Sequence, residues 1–236
     1  MEWSWTYDVM GNVLTESVPS VQGNTTTYTY DIMNHLTSAT NAEGQLLEAY
    51  EYDSVGNMTK KVDGRNCTSL ADIAGAAGIT YQYDTFDRPV QITDIYGNSI
   101  LREYDLLGNL TKETDQNGNQ TGYVYDNWSR LTTVHYPDGG QISYTYDQKD
   151  RKLTQTVKQA ATTSAQYVWQ YNAFDKVYIE TDPYENQIKY TYDGAGNVTS
   201  VQDKNGNIID DYNTVVYVAN TSDSGRIADL VYIVKT

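Results

Sequence analysis

Two histidines, one cysteine and a long series of aspartates are the residues in this 236-residue chain whose types could do chemistry. General acid–base work needs a histidine with an oriented partner and a pocket. His35 and His135 do not stand apart in that way. His35 fills a slot that holds Asn12, Asn57, Arg88 or Asn109 elsewhere in the chain, and His135 fills one held by Thr40, Thr93 or Thr114. Both substitute within a recurring frame, and the sequence therefore predicts structural side chains. No motif activates Cys67, so an inert thiol is expected, and a single cysteine excludes an internal disulfide or a cysteine-rich zinc site. The carboxylates are spread along the chain at intervals of about 20 residues, with no facing pair of the kind a glycosidase requires apparent in the sequence. Asp115, Asn117, Asn119 and Asp126 fall at positions 1, 3, 5 and 12 of a calcium-loop spacing. Position 6, which needs glycine, is Gln120, and no helices flank the segment, so a turn is predicted. The expectation is a protein without enzymatic activity, cofactor or metal.

The aspartates belong to a repeat. Tyr-Asp occurs at Tyr7, Tyr30, Tyr52, Tyr83, Tyr104, Tyr125, Tyr146 and Tyr192, with Tyr171-Asn172 in the remaining slot. The unit is about 21 residues, nine times over, across about residues 5–208. The largest insertion falls within residues 64–78, where Ser69–Ala74 is predicted to form a helical turn or two. Residues 210–236 leave the pattern, with Thr214–Val218 and Leu230–Val234 as two further candidate strands.

Each unit reads as two strands and two turns. In Asp8…Gly11, Asp53…Gly56, Asp105…Gly108 and Asp193…Gly196, aspartate opens a type I turn and glycine closes it at positive φ. These eight residues are predicted to be structural. Asn34, Asp87, Ser129, Asp150 and Asp175 take the glycine position elsewhere. The strand before each aspartate carries aromatics two apart, as in Tyr28/Tyr30, Tyr50/Tyr52, Tyr144/Tyr146 and Tyr190/Tyr192, and hence on one sheet face. The residues between them are mostly Thr, Gln or Glu. Arg102 stands in this stripe beside Tyr104, where its guanidinium could stack on a ring. The predicted class is all-β, a repetitive ribbon of antiparallel hairpins in a single domain. Roughly 18 strands would run on the order of 85 Å, so the ribbon is expected to curl into a spiral or partial shell.

Composition narrows the function. The net charge of −15 excludes a phosphate-backbone partner. No apolar run is long enough for a membrane span, and Met1–Trp5 does not open a signal peptide. The asparagines of Asn57-Met58-Thr59, Asn109-Leu110-Thr111 and Asn197-Val198-Thr199 arise from the repeat consensus, so they say little about glycosylation. Of the 29 aromatic side chains, 23 are tyrosine and only 2 phenylalanine. An aromatic face can pack against its own sheet or stack on sugar rings. Trp3, Trp5, Trp128 and Trp169 are the first candidates for ligand stacking. The expected N-terminal strand, Trp3–Tyr7, has no Pro or Lys to blunt an open edge, which predicts self-association or capping through sheet edges.

Tyr104-Asp105-Leu106-Leu107-Gly108-Asn109-Leu110-Thr111 resembles the YD motif of the RHS-repeat family, and it recurs at Tyr52–Thr59 and Tyr192–Thr199. Asp87-Arg88 and Ser129-Arg130 are similar to the family's Gly-Arg form. The resemblance implies a hollow β-sheet shell, as in secreted bacterial toxins, wall-associated proteins and teneurins. It also implies that this chain is a non-enzymatic wall segment of a larger secreted or cell-surface protein, enclosing or presenting an effector domain. The alternative is a carbohydrate- or cell-surface-binding module. Asp182-Pro183-Tyr184-Glu185 opens like the Asp-Pro-x-Gly motif of the family's self-cleaving segment but lacks its glycine, so the protease is not expected here.

Overall fold

The computed structural model describes residues 3–18, 25–159, 164–209, 217–218 and 232–233. The chain is all-β and divides into two compact units, Met1–Gln120 and Thr121–Thr236.

The first unit holds β1 (Ser4–Tyr7), β2 (Val13–Ser17), β3 (Thr25–Tyr30), β4 (Leu36–Thr40), β5 (Leu46–Tyr52), β6 (Met58–Asp63), β7 (Ile79–Tyr83), β8 (Pro89–Thr93), β9 (Ser99–Tyr104) and β10 (Leu110–Thr114). Each strand pairs antiparallel with the next. In the second unit, β11 (Gln120–Tyr125), β12 (Leu131–His135), β13 (Gln141–Tyr146), β14 (Lys152–Lys158), β15 (Ser164–Tyr171), β16 (Val177–Thr181), β17 (Gln187–Tyr192), β18 (Val198–Gln202) and β19 (Ile208–Ile209) pair in the same sequential way. The nine units of the sequence are therefore consecutive hairpins. β20 (Tyr217–Val218) and β21 (Tyr232–Ile233) fall inside the two runs expected beyond the repeats, and they pair with each other. The remainder of both runs lies outside the described residues.

Every YD hairpin carries a one-residue slip. In β11–β12, Tyr125 faces Leu131 while Val124 faces Thr133, so Thr132 is the extra residue of a bulge. The slip explains a pattern that plain alternation does not. Leu131 and Val134, three apart, both lie on the tyrosine face, and Val134 is buried opposite Tyr123. Ala39 opposite Tyr28 and Val201 opposite Tyr190 repeat this arrangement. The tyrosines themselves are half-buried, whereas Thr29, Gln82, Glu103, Val124, Thr145, Gln170 and Thr191 between them are exposed.

One contiguous cluster sits on the other face, under the insertion. Leu46, Ala49 and Val62 are covered there by Cys67 and Ile73. Leu70–Asp72 forms a single 3-10 turn, capped by the Ser69 hydroxyl, which accepts from the Ala71 amide. Glycines bracket the insertion because the chain passes too close for a side chain. A Cβ on Gly64 would lie 1.6 Å from the Leu46 carbonyl oxygen, and one on Gly78 would lie 2.6 Å from that of Lys61.

Candidate functional site

The YD turn is a closed hydrogen-bond unit. In Asp105–Asn109, the Gly108 amide donates to the Asp105 carbonyl at 3.2 Å and the Asp105 amide to the Asn109 carbonyl at 2.9 Å. The Asp105 carboxylate accepts from the amides of Leu107 and Asn109 and from the Asn109 side chain, each at 2.9 Å. The Asn109 side-chain bond and these backbone donors hold the Asp105 carboxyl below its ordinary range. Asp8 and Asp193 are lowered in the same way by Asn12 and Asn197. At Asp53 the bonds from Asn57 outweigh an opposing desolvation. Gly11, Gly56, Gly108 and Gly196 take φ of 89°, 98°, 90° and 86°. Asn34, Asp87, Ser129, Asp150 and Asp175 adopt the same left-handed conformation, and Glu185 does so in the Asp182 turn.

The tyrosine of each motif reaches backwards. The hydroxyls of Tyr30, Tyr52, Tyr83 and Tyr104 donate to the carbonyls of Val13, Leu36, Met58 and Pro89 at 2.8–3.0 Å. In the second unit, Tyr146, Tyr171 and Tyr192 donate to the carbonyls of Leu131, Lys152 and Val177. Each acceptor opens the second strand of the preceding repeat, directly beside its bulge, where the ladder is interrupted. This staple between repeats accounts for tyrosine over phenylalanine in the YD slot. The abundance of tyrosine is its signal in the sequence, but its direction and acceptor depend on the bulge, which the sequence does not display.

The residue after the glycine position ties turn to turn. Arg88 pairs with Asp84, donates to the Asp105 carbonyl at 2.9 Å and lies 4.8 Å over the Tyr104 ring. Arg130 pairs with Asp126 and Asp150 and lies 5.0 Å over Tyr146. Arg151 pairs with Asp147 and Asp175 and lies 4.7 Å over Tyr171. His35 does the same work: its Nδ1 is 3.0 Å from the Asp31 carboxylate, and its ring stacks on Tyr52 at 4.8 Å. Arg102, for which ring stacking was the expectation, instead forms an ion pair with Glu113 at 2.9 Å. His135 is an exposed strand residue opposite Gly122 and Gln141.

The four tryptophans have different settings. Trp3 and Trp5 are half exposed and stacked at 6.0 Å. Trp128 is 74% exposed in a YD turn, with Arg130 5.0 Å from its ring. It borders an open groove of about 610 Å³ lined also by Arg130, Tyr146, Asp147, Gln148 and Asp150. Trp169 is half-buried, 4.1 Å from the Lys152 ammonium and 6.3 Å from Tyr167. Opposite Trp169 lies Glu180, whose carboxyl is pushed up by burial against hydrogen bonds from Tyr190 and Trp169. Burial likewise pushes Lys152 down and Tyr190 up.

The Asp115 carboxylate is occupied by the Asn117 and Asn119 amides and the Asn119 side chain at 2.8–2.9 Å. Among the described residues, no group of three or more His, Cys, Asp or Glu is placed to hold a metal ion, and no helix is long and apolar enough to cross a membrane. The side chains of Asn57, Asn109 and Asn197, in the three consensus sequons, all donate to their turn aspartates.

Comparison with known proteins fits this geometry. The RHS Repeat family model matches residues 14–46 and 104–141. Those two segments are RHS repeats. A search among curated proteins returns no match. Among solved structures, TcdB2-TccC3 without its hypervariable C-terminal region is similar with a TM-score of 0.67 at 15% identity, over 90% of this chain and 12% of that one. The Photorhabdus luminescens Tc holotoxin pore, with a TccC3 mutation, is similar with a TM-score of 0.53 at 14% identity, over 85% of this chain and 13% of that one. This chain thus spans about an eighth of the chains it resembles, and the likeness is one of fold.

Proposed function

We propose that this chain is a wall segment of a larger secreted or cell-surface protein, with a structural role in enclosing or presenting another domain of that protein. The observation that carries the proposal is the tyrosine staple. Among the described residues, seven hydroxyl–carbonyl bonds join successive repeats within the two units. A side chain committed to holding the preceding repeat serves a continuous wall, whose length can grow by adding units. The polar groups support the same role. Arg88, Arg130, Arg151 and His35 are used between turns, which leaves them committed to the frame. The similarity to segments of TcdB2-TccC3 supports a larger parent in which the enclosed domain would be a toxin or effector.

The test is photocrosslinking in the parent protein. A crosslinking residue placed at Tyr144, on the tyrosine face, should capture another domain of the same protein. One placed at Thr145, on the opposite face, should not. Capture from neither position, or from Thr145 alone, rejects enclosure on the tyrosine face.

A second function, carbohydrate or cell-surface binding, rests on the exposed Trp3–Trp5 stack and on Trp128 beside its groove. Sugar rings pack on such faces. Glycan-array binding that is lost in Trp5→Ala and Trp128→Ala would establish it, and an array without signal rejects it.

A further inference from the structure

The two central positions of a β-turn ordinarily carry polar residues. In the YD turns of the first unit, all of these positions but Ser54 and Thr85 are apolar. Met10, Ile32, Met33, Phe86, Leu106 and Leu107 all occupy central positions of YD turns and are exposed, Ile32 and Leu106 almost completely, at 101% and 97%. Because β1 to β10 pair in sequence order, the five YD turns of this unit lie along one edge of its sheet. Neighbouring YD turns are two strands apart, about 10 Å, so the edge runs for roughly 40 Å.

The same edge is acidic. Its turns carry Asp8, Asp31, Asp53, Asp84, Asp87 and Asp105 against Arg88 alone. The corresponding turns of the second unit carry Asp126, Asp147, Asp150, Asp175 and Asp193 against Arg130, Lys149, Arg151 and Lys176, and their exposed large apolar side chains are Trp128 and Phe174. Nothing in the turn frame demands apolar side chains. The Asp115 turn has Gln116 and Asn117 at the same positions and makes the same backbone bonds.

We propose that the YD-turn edge of the first unit is a docking strip for a cationic amphipathic segment of a partner protein. Charge selects the class of occupant. A second copy of this chain would bring its own −15 and the same row of aspartates, which repel. A partner with basic residues flanking an apolar stripe meets the aspartates and the apolar side chains together. Spacing favours a helix as the form of that segment. Apolar residues seven apart on a helix recur every 10.5 Å or so, close to the turn-to-turn interval.

The experiment titrates the full chain with a leucine–lysine peptide of about 26 residues that forms an amphipathic helix, long enough at 1.5 Å per residue to span the edge. The controls are an alanine–lysine peptide of equal charge and sedimentation of the protein alone. The variant is Ile32→Gln/Met33→Asn/Leu106→Gln/Leu107→Asn, which copies the side chains tolerated at Gln116 and Asn117. A second variant, Trp128→Gln/Phe174→Gln, alters the turns of the other unit. Binding of the leucine–lysine peptide should weaken on the order of tenfold or more in the first variant and stay unchanged in the second, with melting temperatures of both near that of the parent chain. Equal binding of the two peptides, or equal binding by the first variant, overturns the proposal. A dimer that dissociates in the first variant also overturns it, by making a second copy the occupant.

Discussion

The hydroxyl of Tyr104 donates to the backbone carbonyl of Pro89 at 3.0 Å, fifteen residues back in the preceding repeat. Tyr146 and Leu131 stand in the same relation at 2.8 Å. The bond crosses from one hairpin to the one before it, so it couples units that strand pairing alone joins only through backbone. Tyr146→Phe keeps the ring under Arg130 and removes only the donor, leaving the Leu131 carbonyl without it. The expected cost is about 1 kcal/mol, or roughly 2–4 °C in melting temperature. Tyr184→Phe, at an exposed turn position, is the control and should leave the melting temperature unchanged. Equal melting temperatures for the two variants would refute the staple.

Backbone conformation at the turns makes a separate prediction. Gly108 has φ of 90°, yet the nearest atom to a Cβ added at this position would be the Arg88 guanidinium nitrogen, at a comfortable 3.9 Å. Space is therefore no obstacle there, and any cost of Gly108→Val is conformational. It should amount to about 1–3 kcal/mol. Leu107→Val, one residue earlier and exposed, should cost far less. Thermal melts of the two single variants decide the matter, and indistinguishable curves would refute strain at this position.

Much of this architecture is legible in the residues, because the repeat states it many times over. The Tyr-Asp spacing yields the hairpins, and the alternating aromatics yield the half-buried face. Two things escape such a reading. The bulge at Thr132 cannot be placed from residue type, since its equivalents include Leu14, Val90, Leu153 and Tyr178 as well as threonine, and without it the Tyr–carbonyl bond cannot be placed. The buried cluster under the insertion escapes as well. Cys67 and Ile73 lie within a stretch without strand periodicity, and their partners Ala49 and Val62 sit on the face that is polar elsewhere. For the tryptophans, sequence singles out residue type but not setting. Trp169 is tied into a polar cluster with Lys152 and Glu180, while Trp128 stands in a turn.

Acid should loosen the turns, with the sign set by the aspartates. A carboxyl whose folded pKa lies below its unfolded value adds stability above the unfolded value, and that stability is lost as pH falls through the folded one. Asp105 and Asp193 are both lowered, each first by its asparagine side chain and then by backbone donors. Asp63, beside Arg65, is lowered to about 2. Asp105→Asn should therefore be less stable than the parent chain at pH 7, and the gap should close as the pH is taken from about 4 downwards. Urea titrations at pH 7, 4 and 2.5 measure it. A gap that is constant across this range would show that the charge of Asp105 is not what the turn uses.

The glycines around the insertion give a readout that is independent of melting. Cys67 belongs to the insertion and is buried against the sheet beneath it, and its thiol lies 2.9 Å from the Ser69 carbonyl. Gly64→Ala places a methyl where the Leu46 carbonyl oxygen now stands, at 1.6 Å, so the backbone must part there. The cover over Val62 and Ala49 should then open more often than in the parent chain, exposing the thiol. Reaction of Cys67 with a small disulfide reagent should accelerate on the order of tenfold, for a loss of about 1.4 kcal/mol in local stability. Gly97→Ala, in a turn where nothing lies within 4 Å of the added carbon, strains only its own φ and should leave the thiol rate unchanged. If Gly64→Ala leaves that rate unchanged too, the close approach at Leu46 does not hold the insertion in place.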